Sequence, residues 1–172
     1  MATIQRDSLV GKPVLRLEDP ALLRGRARFV DDLPVKPGTL QAAVLRSPHP
    51  HADIVSIDAD EARQAPGVVA VITRNDILAL TDPFIIGLTT PLEYYGLATD
   101  RVRFVGEPVA VVLASDRYLA EDALEFIRVD YRPLPAVVDP VIAAGPDASV
   151  LHPKVGSNVV VSRDYRHGDA SY

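Results

Sequence analysis

Residues 103–135 read Arg103-Phe-Val-Gly-Glu-Pro-Val-Ala-Val-Val-Leu-Ala-Ser-Asp-Arg-Tyr-Leu-Ala-Glu-Asp-Ala-Leu-Glu-Phe-Ile-Arg-Val-Asp-Tyr-Arg-Pro-Leu-Pro135. A Gly-Glu-Pro turn comes first, and the strand that follows it, Val109 to Leu113, has no polar residue, as expected of a strand covered on both faces. A helix then opens at Ser115 and Asp116, with its apolar residues at helical spacing on one side. A second strand begins at Arg128 and runs toward the prolines. The segment predicts a strand, a helix and a strand in succession.

The rest of the chain predicts further short elements separated by Pro and Gly. Fifteen prolines favour many short strands punctuated by rigid turns. Strands are predicted at 27–30, 40–46, 54–57, 68–72 and 159–161, and helical turns at 58–64, 75–80 and 139–145. The strand at 40–46 is apolar enough to suggest burial on both faces. Four Pro and Gly residues favour a long loop between Arg74 and Asp100. The residues alone indicate an α+β or α/β domain.

Composition and charge exclude several classes of function. The chain has 172 residues, 48% of them apolar and 24% charged, which is ordinary for a soluble globular protein. Its net charge of −5, without a basic cluster, argues against nucleic-acid binding. No segment approaches the ~20 apolar residues of a membrane span, and the N-terminus lacks the apolar core of a signal peptide. We therefore expect a soluble, cytoplasmic protein.

The absence of cysteine narrows the metal chemistry. Without thiolates this chain cannot form a disulfide, a thiolate zinc site or an iron–sulfur cluster that it ligates by itself. A reducing compartment is compatible with this composition.

The strongest metal-like pattern is His49-Pro-His51-Ala-Asp53. Two imidazoles and a carboxylate at alternate positions would project to one side of an extended segment, as in some metallohydrolases. The pattern is short of ligands, because Ile54 stands where one common version has a further His, and His152 and His167 lack carboxylates around them. The alternative interpretation is a rigid turn that closes a strand.

Other candidate residues lack partners for chemistry. Glu107 is either a buried carboxylate at a site or a turn residue before a strand, and no second acid or base stands at a fixed spacing from it. Tyr94 and Tyr95, in the long loop, would either line a binding surface or cover the domain. Glycine-rich phosphate loops and a nucleophile elbow are missing from the sequence. We therefore assign no catalytic, cofactor-binding or metal-binding residues.

Several segments together resemble one family. They are Gly11-Lys-Pro-Val-Leu-Arg-Leu-Glu-Asp-Pro20, the Leu23 to Asp32 stretch with Gly25, Arg46-Ser-Pro-His-Pro-His-Ala52, Pro66-Gly-Val68 and Val105-Gly-Glu-Pro-Val-Ala110. In this order and spacing they are similar to the N-terminal region of the molybdenum-binding large subunit of the xanthine dehydrogenase, aldehyde oxidase and carbon monoxide dehydrogenase family. The matching region is its α/β-hammerhead domain, a short mixed β-sheet with a few packed helices and a long loop containing Pro and Gly.

The resemblance implies a parent enzyme of known chemistry. Such an enzyme oxidatively hydroxylates an aldehyde, a heterocycle or carbon monoxide, with water as the oxygen source. Its molybdenum is held by molybdopterin cytosine dinucleotide, and its iron–sulfur clusters and FAD lie on partner subunits. The family's cofactor-binding motifs and catalytic glutamate lie downstream of the hammerhead domain, so none maps onto residues 1–172, and this chain is expected to bind no cofactor.

The resemblance also implies a division of the chain. We expect an extended arm at 1–25, the hammerhead domain at 26–145 and, at 146–172, a linker toward a molybdopterin-binding domain that the chain lacks. The leading hypothesis is an accessory domain that contacts that domain and the iron–sulfur and flavin subunits through the Arg16 to Pro20 arm and the 81–100 loop. Its rivals are an independent metal-dependent hydrolase or small-molecule-binding module centred on His49, His51 and Asp53, and a stand-alone interaction module that uses a sheet edge.

Overall fold

The computed structural model describes residues 9–84, 87, 90 and 92–168, and Pro91 and the last four residues of the expected linker lie outside them. The chain divides into two compact units, Met1–Pro37 and Gly38–Tyr172. The division expected after residues 25 and 145 stays a prediction.

The described part of the first unit, residues 9–37, has little regular structure. It contains helix α1, Asp19–Leu22, and a 3-10 turn at Val30–Asp32. The strand expected at 27–30 is wrong: these residues form no strand, the Ala27 amide donates to the Ala21 carbonyl at 3.1 Å, and the Asp32 carboxylate accepts a hydrogen bond from the Phe29 amide at 2.9 Å to start the turn. No residue between 9 and 37 is buried.

The second unit has two three-stranded antiparallel sheets. The first contains β1 Gln41–Arg46, β3 Val68–Ile72 and β5 Pro108–Ala114, in the order β1-β5-β3. The central strand β5 has no exposed residue, which confirms the expected apolar strand covered on both faces. β1 is an edge strand with Ala42 exposed, so the expectation that it is buried on both faces is wrong.

The second sheet contains β2 Ala52–Asp58, β4 Arg101–Val102 and β6 Arg128–Pro133, in the order β4-β2-β6. The register of β2 against β6 shifts between Ile54 and Ser56. The Arg74 guanidinium donates to the carbonyls of Ile54 at 2.9 Å and Val55 at 3.4 Å, so it binds the irregular part of the strand.

The α+β class is confirmed, with a different arrangement of strands. The strands form two antiparallel sheets instead of one short mixed sheet. The strand, helix and strand of residues 103–135 are all present, but β5 and β6 belong to different sheets. The apolar stretch at 159–161 forms no strand.

The helices are short and several have side-chain caps. They are α2 Asp60–Gln64, α3 Arg74–Leu80, α4 Arg117–Ala123 and α5 Pro140–Ala143, and a 3-10 turn, Leu124–Phe126, extends α4. The Asp116 carboxylate accepts hydrogen bonds from the amides of Tyr118 and Leu119, as expected of an N-cap. Asp139 caps α5 in the same way. No helix in the described ranges has the length and apolarity needed to cross a membrane.

The chain passes between the sheets five times, and the passage from β3 to β4 runs through α3 and the residues that follow it. At one end α2 and α4 carry it from β2 to β3 and from β5 to β6. At the other end two short crossovers, 47–51 and 103–107, lead from β1 to β2 and from β4 to β5. One core cluster lies between the first sheet and the helices, and a smaller one lies on the second sheet. The larger contains Ala43, Ala59, Ala62, Val71, Ala110, Val112, Ala114, Ala120, Ala123 and Ile127; the smaller contains Ala52, Ile54, Ala98, Val102 and Val109.

Gly67, between α2 and β3, gives a test of this packing. Its φ is +75°, and a Cβ there would lie 2.5 Å from Leu119 Cδ1 and 3.1 Å from Ser115 Oγ. Gly67→Ala is expected to lower the free energy of unfolding by at least about 2 kcal/mol, because left-handed strain and crowding add. Gly156 is the matched control: its φ is +77° with nothing within 4 Å. Gly156→Ala should cost only about 1 kcal/mol of strain. If urea unfolding showed that Gly67→Ala and Gly156→Ala lower the free energy of unfolding equally, this would contradict the close approach of α4 to the turn at Gly67.

Candidate functional site

The Asp53 carboxylate lies between two arginines. Its Oδ1 accepts from Arg101 Nε at 2.7 Å, and its Oδ2 accepts from Arg132 Nη2 at 2.7 Å and Nε at 3.2 Å. The side chains of Asp53 and Arg101 are 18% and 17% exposed, so this pair is partly shielded from water. The hydrogen bond from Arg132, together with Arg101, holds the pKa of Asp53 below its usual value despite the opposing effect of burial.

The neighbouring His51 is buried, with 1% of its surface exposed. Its Nδ1 lies 2.8 Å from the Pro135 carbonyl oxygen, which can only accept, so Nδ1 carries the proton. Its Nε2 then faces Arg101 Nη1 at 3.4 Å as an acceptor. Both ring nitrogens therefore face protein groups.

This geometry does not support the independent metal-dependent hydrolase or small-molecule-binding module. Arginines occupy both oxygens of Asp53, and the ring of His49 packs edge-on against Tyr131, with centroids 4.9 Å apart. Within the ranges that the structure describes, no group of three or more His, Cys, Asp or Glu side chains is placed to hold a metal ion. The alternate spacing of His49, His51 and Asp53 reflects a turn leading into β2 and not a ligand set.

Glu107 lies in the turn before β5 with 3% of its surface exposed. Its carboxylate accepts a hydrogen bond from the Arg103 amide across the turn. Burial raises the pKa of Glu107, while this amide and the Arg103 charge act in the opposite direction. The guanidinium of Arg103 donates to Asp100 Oδ1 at 2.9 Å and to the carbonyls of Arg101 at 2.8 Å and Leu151 at 3.1 Å. The contacts of Glu107 are those of a group that fixes a turn.

The two tyrosines of the long loop have different positions. The Tyr94 ring packs against Phe84, with centroids 6.1 Å apart. Tyr95 lines a cavity of about 240 Å³ together with Arg103, His152 and Lys154. The contact role expected for the 81–100 loop stays a prediction, and part of that loop lies outside the described residues.

The segment after α5 is bonded to the second sheet. Arg101 Nη1 donates to the Val150 carbonyl at 3.3 Å, next to the bond from Arg103 to Leu151. Asn158 accepts from the Leu151 amide at 2.9 Å and donates to the Ser149 carbonyl at 3.0 Å. Residues 149–151 and Asn158 therefore have hydrogen-bond partners, although residues 149–158 form no regular helix or strand.

Sequence reasoning missed the arginines and Ser47. Arg101 and Arg103 stand at alternate positions, which is the available signal for two guanidinium groups at one strand end, but their partners Asp53 and Leu151 are 48 residues away. Ser47 is buried at 2% exposure, and its hydroxyl bonds the backbone of His49.

Comparison with known proteins gives a consistent result. A sequence model described as "Aldehyde oxidase and xanthine dehydrogenase, a/b hammerhead domain" matches residues 24–135. The chain is 45% identical over 143 residues to 6-hydroxypseudooxynicotine dehydrogenase complex subunit gamma of Paenarthrobacter nicotinovorans, covering 78% of this chain and 18% of that protein. It is 43% identical over 136 residues to the carbon monoxide dehydrogenase large chain of Afipia carboxidovorans, covering 79% of this chain and 17% of that one.

A solved structure has the same fold. Quinoline 2-oxidoreductase from Pseudomonas putida 86 superposes with a TM-score of 0.74 at 40% identity, covering 91% of this chain and 20% of that one. The chain thus spans a fifth or less of the length of these three proteins.

Because two arginines bind the Asp53 carboxylate, we expect Asp53→Asn to lower the stability of the protein. Because the substitution removes the charge partner of the partly shielded Arg101 and of the exposed Arg132, we expect about 1–3 kcal/mol less free energy of unfolding near pH 7. The folded-state pKa is lowered, so the ionised carboxylate stabilises above its unfolded pKa of about 3.9, and this stabilisation is lost as pH falls through the folded value. The difference in free energy of unfolding between wild type and variant should become smaller below about pH 4. Asp60→Asn, in an exposed pair with Arg63, is the control and should change little. A difference that stays constant with pH would contradict this role of Asp53.

Glu107→Gln has the opposite expected pH dependence. The folded pKa of Glu107 is raised, so its stabilising contribution is fully present below the unfolded pKa of about 4.3 and is lost as pH rises through the folded value. Urea unfolding from about pH 4 to about pH 7 should show wild type losing stability relative to the variant. If wild type instead gained stability relative to the variant over this range, burial would not be the largest effect on the pKa of Glu107.

Proposed function

The chain belongs to the family of aldehyde oxidase and xanthine dehydrogenase a/b hammerhead domains, and on that basis we propose that it is an accessory domain of a molybdenum hydroxylase large subunit. In this role it packs against cofactor-binding regions and neighbouring subunits and is not catalytic alone. Two relatives, of which the chain covers 18% and 17%, support this proposal, since one of them is named a large chain and the other a subunit of a complex.

The observation that carries the proposal is the apolar surface of residues 9–37. None of the described residues 9–37 is buried, yet they expose a series of large apolar side chains. They are Leu9, Val10, Val14, Leu15, Leu17, Leu22, Leu23, Phe29, Val30, Leu33 and Val35. Covering such a surface is favourable by about 25 cal/mol per Å² of apolar area removed from water. Exposed apolar surface on this scale is typical of a segment that lies on another protein surface.

The described residues do not fit a molybdenum cofactor. Asp53 is neutralised by two arginines, and both ring nitrogens of His51 face protein groups. We therefore propose that the cofactor, molybdopterin cytosine dinucleotide, binds elsewhere in the larger polypeptide. The iron–sulfur clusters and FAD are assigned to partner subunits, which agrees with the lack of thiolates in this chain.

The reaction and location are proposed at the level of the family. The parent enzyme would oxidatively hydroxylate an aldehyde, a heterocycle or carbon monoxide, with water as the oxygen source. The partners would be the molybdopterin-binding domain of the same subunit and the iron–sulfur and flavin subunits. A cytoplasmic location is supported by a composition without disulfide-forming residues.

A chimaeric enzyme tests the proposal. The chain replaces the matching segment of the Afipia carboxidovorans carbon monoxide dehydrogenase large chain, to which it is 43% identical. We expect the chimaera to assemble with the partner chains and to contain molybdenum at a level comparable to the parent enzyme. A chimaera that is expressed as a folded large chain but retains less than about a tenth of the parent's molybdenum would contradict the proposal.

The arm is tested in the same chimaera by replacing Leu15, Leu17 and Leu23 with Ser. These side chains are 85%, 94% and 87% exposed, so the isolated chain should unfold at an unchanged temperature. The chimaera should lose most of its assembled form, because polar groups would replace the apolar contact of the arm. Normal assembly of this variant would show that residues 9–37 do not form the contact.

A further inference from the structure

The two short crossovers lie side by side at one end of the second unit. β1 ends at Arg46 opposite Pro108, where β5 begins, and β2 begins at Ala52 opposite both Val102 of β4 and Pro133 of β6. Three segments therefore leave the sheets at the same end: 47–51, 103–107 and 133–135.

Hydrogen bonds connect these three segments. The Ser47 amide donates to the Glu107 carbonyl at 2.9 Å, and the Gly106 amide donates to the Ser47 carbonyl at 2.8 Å. The Leu134 amide donates to the His51 carbonyl at 2.9 Å, and His51 Nδ1 donates to the Pro135 carbonyl. The segments consequently hold one another in fixed positions.

Most of the buried polar residues lie at this end of the domain. The described part of the chain has four buried polar or charged residues: Ser47, His51, Thr73 and Glu107. Three of them, all except Thr73, lie in these segments. Burying a polar group costs free energy unless it is hydrogen-bonded, and burying a carboxylate costs more. None of the three belongs to either apolar core cluster. Their hydrogen bonds fix the geometry of the segments.

The fixed segments present apolar side chains to solvent. Phe104 is 46% exposed and Val105 is 63% exposed. Pro48, Pro50, Pro133 and Pro135 are exposed as well. We call these six residues the three-segment surface. Proline lacks an N–H group and has a fixed φ, so this surface loses little conformational freedom when it is covered. Rigid apolar groups with an aromatic residue among them are typical of the centre of a protein–protein interface.

The exposed Arg46 borders this surface, and Arg132, next to Pro133, is also exposed but is paired with Asp53. Arg46 Nη1 donates to the Gly106 carbonyl at 2.9 Å, and its described partner is this neutral group and not a carboxylate. The surface itself contains no acidic side chain, and Glu107 beneath it is buried. In a two-fold contact between two copies of the chain, this surface would face itself. Each Arg46 would then meet a surface that supplies no opposite charge, which disfavours such a dimer.

We propose that the three-segment surface docks into an apolar recess bordered by a carboxylate on the remaining part of the molybdenum hydroxylase large subunit. The inference rests on the proposed function and assigns a contact in addition to that of residues 9–37. The occupant is argued from the charge of Arg46 and from the length of the solved relative, of which this chain covers 20%.

The test uses the chimaeric enzyme with Phe104→Ser and Val105→Ser together. Assembled, molybdenum-containing enzyme should fall at least about tenfold, as expected when central interface residues are removed. Phe126→Ser is the matched control: Phe126 is 39% exposed and lies in the 3-10 turn after α4, near the opposite end. The control should assemble within about twofold of the unmodified chimaera. Arg46→Glu should reduce assembly as well, because it would place two carboxylates together.

Two further measurements separate the outcomes. Phe104 is partly covered by the domain, so the isolated chain with both serines should unfold at a somewhat lower temperature but stay folded at the temperature of assembly, which shows that any loss of assembly comes from the surface. If the unmodified chimaera assembles and the double variant assembles equally well, the docking inference is wrong while the proposed function stands. If the unmodified chimaera fails, the proposed function fails and the inference with it. A dimer of the isolated chain in sedimentation that the two serines abolish would make a second copy the occupant and overturn the inference.

Discussion

The second unit depends on the pairing of its two short crossovers. Its two sheets share no strand, so hydrogen bonds within a sheet cannot set the position of one sheet relative to the other. The Ser47 and Glu107 backbones bond each other where the chain crosses from β1 to β2 and from β4 to β5. The Glu107 side chain fixes the second crossover from beneath. Helices α2 and α4 make the corresponding connections at the other end.

This constraint gives several chemically active side chains a structural role. A buried histidine, a buried glutamate and a carboxylate between two arginines are each common in active sites. Here His51 binds the Pro135 carbonyl, Glu107 binds the Arg103 amide and Asp53 joins β2 to β4 and β6. Each group is used to hold a segment that has few partners in a sheet.

Local signals in the sequence predicted most helices and strands, because their causes are local. The apolar run of β5, the Asp116 and Asp139 caps and the proline-bounded ends lie within a few residues of the elements they define. The assignment of strands to two sheets could not be predicted, since it depends on pairs distant in sequence such as Ala43 and Val112. Apolar residues at 27–30 and 159–161 have strand character but no pairing partner. The Asp53 arginines, 48 and 79 residues away, were hidden for the same reason.

The composition of the core connects the fold to its place in a larger protein. Nine of the sixteen buried apolar residues in the described part are alanine, and none is aromatic. Alanine permits the close approach of α4 to the first sheet but removes little apolar area from water. The larger apolar side chains, among them Phe29, Phe104 and Ile142, lie at the surface. A domain whose small residues face inward and whose large ones face outward gains much of its burial only when other surfaces cover it. Its stability and its role in assembly are therefore two consequences of the same distribution of side chains.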